Sequence, residues 1–138
     1  HKSKEEMEIC EWRPYESLSI ENCVMVGHIA APEITGDLTP ASMSYEIVTG
    51  ILRQQLNFEG VVLTDALGMG AITNEYTSAE AAVNAIGAGC DILLCPDDLR
   101  ESFEAVTESV ENGTISEERI NESVYRILRL KRMYGLIK

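Results

Sequence analysis

Asp65 directly follows Gly60-Val61-Val62-Leu63-Thr64, an apolar, β-branched run that ends in a carboxylate. In parallel α/β folds the C-terminal end of a strand is where side chains meet substrate, which places this aspartate for chemistry. An ordinary aspartate is ionised at neutral pH and can serve as a nucleophile. The competing reading is structural: the carboxylate caps the next loop by accepting backbone N–H bonds. Glu59 and Asp91 are weaker candidates, because each precedes its apolar run and so lies at the N-terminal end of a strand, where such folds carry stability. His28 closes a second run, Cys23-Val24-Met25-Val26-Gly27, and shares the Asp65 end of a sheet if the two strands are parallel. The four cysteines, Cys10, Cys23, Cys90 and Cys95, show no CxxC spacing, and three lie in or beside apolar runs. They read as reduced, structural thiols rather than a zinc or redox site.

The period of the apolar residues alternates between strand and helix around these positions. Glu5 to Leu18 has helical composition broken by Pro14, which starts a second turn. Cys23–His28 reads as a strand and 30–43, with two prolines and a Gly-Asp pair, as a loop. Ile47, Val48, Ile51, Leu52 and Leu56 repeat at helical spacing over 44–56, with Asn57 as the stop. After the strand 60–64 comes a loop to Thr77. Thr77 and Glu80 have the spacing of a capping box for a helix ending near Gly87 and Gly89. A third strand covers 90–94. From Asp97 a helix puts Phe103, Val106 and Val110 on one face, and Ser116 caps a last helix through Ile120, Val124, Ile127, Leu128 and Leu130. Strands alternating with helices predict three adjacent parallel strands with right-handed crossovers.

A parallel strand is normally covered on both faces, so a three-stranded sheet leaves edges and backbone donors unmet. The chain therefore reads as part of a larger α/β domain. Its 138 residues, 45% hydrophobic and 25% charged, are ordinary globular material. A net charge of -12 opposes binding to nucleic acid or to anionic lipid. No apolar run reaches the roughly 18 residues of a membrane span. The expectation is a cytoplasmic protein, with an extracytoplasmic one whose leader lies upstream as the alternative.

The stretch Leu52 to Met69, with Gly60-Val61-Val62-Leu63-Thr64-Asp65-Ala66-Leu67-Gly68-Met69 at its centre, is followed by Ala85-Ile86-Gly87-Ala88-Gly89-Cys90-Asp91-Ile92-Leu93-Leu94-Cys95-Pro96. Together these segments resemble glycoside hydrolase family 3, most closely its β-N-acetylglucosaminidase branch. The resemblance runs from about Glu5 to Arg126-Ile127-Leu128-Arg129-Leu130-Lys131. It implies that residues 1–138 are the C-terminal portion of one catalytic (β/α)8 barrel, its last three strand-helix units, incomplete without the remainder of the barrel.

Retaining glycosidases need an ionised carboxylate to attack the anomeric carbon and a second group to protonate the leaving oxygen and then activate water. The resemblance aligns Asp65 with the nucleophile. It assigns the second task to a histidine in an Asp-Ser-His loop, for which His1 of His1-Lys2-Ser3 stands. Imidazole suits the task because it gives and takes a proton near neutrality. A tag remnant, or a residue that happens to follow a break, is the opposing reading of His1. For His28 two roles stay open: contact with the sugar, or a neutral, hydrogen-bonded ring packed beneath the site. Met69 either walls the sugar ring and its acetamido methyl or packs the loop. Ala66 stands where many relatives have a second Asp, which leaves the nucleophile untouched.

The implied activity is exo-hydrolysis of terminal β-linked N-acetylglucosamine, as in peptidoglycan fragments, with a carbohydrate as partner and neither cofactor nor metal. The family's Lys-His pair and its upstream Arg and Asp have no counterpart here, so this segment alone should hydrolyse nothing. A family 3 β-glucosidase is the nearest alternative, disfavoured because those carry a Ser-Asp-Trp motif. A non-catalytic α/β binding or phosphoacceptor module is the other, and it lacks the acidic neighbours such an Asp needs, since Ala66 and Leu67 follow.

Overall fold

The computed structural model describes residues 4–138. Helix α1 (Lys4–Ile9) and a 3-10 turn (Arg13–Tyr15), started by Pro14, lead into β1 (Cys23–Val26). There follow α2 (Pro32–Thr35), a 3-10 turn (Ala41–Met43) and a wide helix (Glu46–Gln55). Next come β2 (Val61–Ala66), α3 (Gly70–Thr73), α4 (Ser78–Ala88), β3 (Ile92–Leu94), α5 (Leu99–Glu111) and α6 (Glu117–Met133). The three strands form one parallel sheet in the order β1-β2-β3. Asp65 lies within the last two residues of β2 instead of just past it, and His28 stands two residues beyond β1.

Local chemistry accounts for most of these elements. Thr77 and Glu80 close a reciprocal capping box on α4, satisfying two orphan N–H groups at its start. Ser116 accepts Arg119 N–H at 3.1 Å to start α6. Asn57, at φ 53, ends the wide helix in the left-handed region that Asn tolerates. Two stretches expected as loops hold short helical turns, α2 and the 3-10 turn Ala41–Met43 in the first and α3 in the second. In the first, Pro32 at the opening position presets φ and Gly36, at φ 81, ends the turn. In the second, Met69 O accepts from Ile72 and Thr73 to make α3.

One face of the sheet is packed under helices. Val24, Val62 and Thr64 point into a core with Met43, Val48, Leu52, Phe58, Ile72, Ala81 and Ala85. Successive strand residues alternate faces, so Met25, Leu63 and Ile92, which the register places side by side, line the opposite face, where Met25 is 56% exposed.

The buried stripe of α5 differs from expectation. Ser102 and Ser109 are buried where α5 lies against α4, while Phe103 is 70% exposed and Val106 and Val110 are half-buried. The small Ser102 meets the start of α4, its Oγ donating to Ser78 O at 3.1 Å, and a small side chain there lets the two helices approach closely. On α6 the buried residue is likewise Ser123, with Val124 and Leu128 exposed.

Candidate active site

The middle strand carries Asp65 at an irregularity. Leu63 pairs with Ile92 and Ala66 with Leu94, so three steps along β2 match two along β3 and the extra residue falls at Thr64–Asp65. A bulge of this kind locally bends a strand and re-aims its side chains. Thr64, fully buried, accepts Leu94 N–H on Oγ1 at 3.1 Å. Beyond the bulge the bonding resumes, with Leu67 N–H on Leu94 O and Gly68 N–H on Cys95 O, both at 2.9 Å. Asp65 itself is half-buried, and its Oδ1 accepts Ala66 N–H at 2.7 Å. That local bond leaves Oδ2 for an incoming group. Gly68 sits against the chain beyond β3, where an added Cβ would lie 3.2 Å from Cys95 O.

His28 reaches the same end of the sheet from β1. Its Nε2 lies 3.0 Å from Ala66 O and its Nδ1 2.8 Å from Ser42 Oγ. A carbonyl only accepts, so Nε2 carries the hydrogen, and Nδ1 accepts from the Ser42 hydroxyl. Both ring nitrogens are thereby spent within the chain. Of the two roles the sequence leaves open for His28, this geometry favours the packed, hydrogen-bonded one. Met69 is 45% exposed four residues past Asp65, and its N–H shares the Ala66 carbonyl at 3.1 Å. Its side chain is free to line a site beside Asp65. His1 lies outside the described residues. Among the described residues, no three His, Cys, Asp or Glu side chains come together as metal ligands would.

Asp91 is at the opposite end of the sheet, with no exposed side-chain surface. Its Oδ2 accepts from Arg53 at 2.5 Å and from Val62 N–H at 2.9 Å. Its Oδ1 accepts from Ser123 at 2.7 Å and Arg126 at 3.2 Å, with Arg119 3.6 Å away. Burial pulls the pKa of Arg53 down, and the carboxylate of Asp91 opposes that shift. Glu59 is at this end too, 3.9 Å from Arg129 and mostly exposed. Both acids thus belong to the end of the sheet that carries stability, as their place ahead of their strands implies.

Sequence reasoning passed over Thr64, Ser42 and the three arginines. Thr64 offers one signal, a hydroxyl directly before a strand-end carboxylate. Ser42 offers none, since its partner lies 14 residues away across a loop.

The model of the glycosyl hydrolase family 3 N-terminal domain matches residues 1–130. The chain belongs to glycoside hydrolase family 3. Among its family 3 relatives, a β-N-acetylglucosaminidase/β-glucosidase of Cellulomonas fimi is 34% identical over 122 residues, covering 82% of this chain and 22% of that protein. A lysosomal β-glucosidase of Dictyostelium discoideum is 38% identical over 113 residues, covering 78% of this chain and 13% of that protein. The solved family 3 β-N-acetylglucosaminidase of Paenibacillus sp. str. FPU-7 superposes with a TM-score of 0.88 at 36% identity, over 95% of this chain and 26% of that one. This family 3 chain thus spans about a quarter or less of each of these relatives, and its α/β architecture with a parallel sheet superposes on the solved Paenibacillus enzyme.

Proposed function

We propose that the chain is the nucleophile-bearing part of a retaining β-N-acetylglucosaminidase barrel, with Asp65 as the nucleophile. The observation that carries this reading is the placement of Asp65 at the bulged C-terminal end of the middle parallel strand, one carboxylate oxygen uncommitted. Asp65 attacks the anomeric carbon while the glycosidic oxygen takes a proton from the acid/base, for which His1 stands. The deprotonated group then removes a proton from water, which displaces Asp65 with net retention. Met69 walls the sugar. The chemistry needs a carboxylate and a proton donor and no cofactor.

The remainder of the barrel supplies the grip on the sugar hydroxyls. In support, the outer edges of β1 and β3 have no strand partner among the described residues, and Met25, on the face opposite the helices, is 56% exposed. Peptidoglycan fragments are the proposed substrates. A β-glucosidase is the second reading, because the Cellulomonas fimi and Dictyostelium discoideum relatives are named for that activity.

The test uses the full-length protein. A mechanism-based fluorosugar labels Asp65, and Asp65→Asn lowers turnover at least about a thousandfold with folding intact, because covalent catalysis is lost and packing is not. Label on another residue refutes the assignment. Relative rates on aryl N-acetylglucosaminides and aryl glucosides decide between the two sugars.

A further inference from the structure

Asp65 sits where the register of its strand shifts, and side chains add hydrogen bonds to β2 on both sides of it. On the β3 side, at the bulge, Leu94 N–H donates to Thr64 Oγ1 at 3.1 Å, so a side chain ties β2 to β3 where the register shifts. On the β1 side the pairing ends at Val26 and Thr64. Two residues further on, His28 Nε2–H takes over the bridge to β2 by donating to Ala66 O. Ala66 O also accepts Met69 N–H, so one carbonyl fixes the turn that follows Asp65. Ser42 completes the chain, its hydroxyl directed at His28 Nδ1 and its N–H on Gly27 O at 3.2 Å.

We propose that Thr64 and His28 are positioning residues that aim the Asp65 carboxylate, with Ser42 holding His28 in the tautomer that donates to Ala66. The inference rests on the reading of Asp65 as nucleophile. A bulge frees two residues from the constraints of pairing, and a nucleophile needs to be held within about 0.5 Å of its productive place. Thr64 and Ser42 are fully buried, so their hydroxyls have no water to turn to and the alternative arrangements leave unmet polar groups. Neither residue offers the sugar a polar atom: Thr64 faces the helices, and both nitrogens of His28 are engaged. Their influence reaches the reaction only through the backbone of residues 64–66.

The experiment measures kcat, KM and the rate of fluorosugar labelling of Asp65 in full-length enzyme carrying Thr64→Val, Thr64→Ser, His28→Asn or His28→Gln. Serine keeps the hydroxyl that valine removes. Glutamine carries an N–H close to the reach of Nε2, which asparagine does not. Valine and asparagine are expected to lower kcat and the labelling rate about a hundredfold, the cost of roughly 1 Å of misplacement, with KM within about twofold. Serine and glutamine are expected to recover at least about tenfold of that loss. A raised KM with unchanged kcat overturns the proposal, because it marks contact with substrate. Equal losses in the two members of either pair, or no loss in valine and asparagine, overturn it as well. Label on another residue of the wild-type enzyme removes the proposed function and this inference together, whereas label on Asp65 with unchanged rates in the variants removes the inference alone.

Discussion

Replacing Asp91 by asparagine keeps the shape of the side chain and removes the one carboxylate that three guanidinium groups share. The side chains of Arg53, Arg119 and Arg126 are only 11%, 18% and 20% exposed, so water does little to compensate them. Each oxygen of Asp91 accepts two hydrogen bonds, and whichever way the asparagine amide turns, its NH2 meets two donors. Removing one partner of a buried ion pair costs about 3–5 kcal/mol, because the remaining charge stays buried. Against a total stability of about 5–15 kcal/mol this is a large fraction. With a urea slope of about 2 kcal/mol/M, the unfolding midpoint of the full-length protein is expected to fall by about 2 M, read by circular dichroism. Glu104→Gln, at the exposed pair with Arg100, is the control and should move the midpoint by no more than about 0.25 M. A shift for Asp91→Asn as small as the control's refutes the reasoning. The guanidinium groups would then be satisfied by their other partners, the carbonyls of Phe58, Gly60 and Gly89 for Arg53, Cys90 O and Ser123 Oγ for Arg119, and the Glu122 carboxylate for Arg126.

Burial, with Asp91 adding to it, pushes the Cys90 thiol up to about 12, so the reactive thiolate is scarce below that pH. In the native protein at pH 8, iodoacetamide is expected to modify the exposed Cys10 and Cys95 and to spare Cys90 until urea is added, as mass spectrometry of the peptides will show; equal labelling of Cys90 in native protein refutes this. If His1 is the acid/base, His1→Ala in the full-length enzyme slows substrates with poor leaving groups far more than activated aryl glycosides, and azide partly restores deglycosylation. Equal losses on both substrate types would withdraw His1 as proton donor.

Strands were legible wherever burial on both faces demanded consecutive apolar residues, as in Val61-Val62-Leu63. Helix starts were legible where one side chain must cap one N–H, as at Thr77 and Ser116, since that signal is local. The faces of the helices were not. Phe103, Val106 and Val110 do share a stripe, but the contact between α4 and α5 is set by how closely backbones approach, which favours Ser102 and Ser109. Single turns such as Gly70–Thr73 span too few residues to show a period. At the candidate site, Asp65 stands out in the sequence because a strand-end carboxylate contrasts with its own apolar run. Thr64 and Ser42 were not, because their roles depend on a register shift against β3 and on a partner across a loop.

The cluster on Asp91 also bears on how the chain is made. Arg53 and Asp91 are 38 residues apart, and Arg126 follows another 35 residues later. At synthesis rates of about 5–20 residues per second, Arg126 is added roughly 2–7 s after Asp91, during which α6 cannot yet supply Arg119, Ser123 or Arg126. Until then Asp91 has Arg53 as its one guanidinium partner in the chain already made. Because Arg119, Ser123 and Arg126 follow every other partner of Asp91 in sequence, the base of the sheet is completed only when α6 docks.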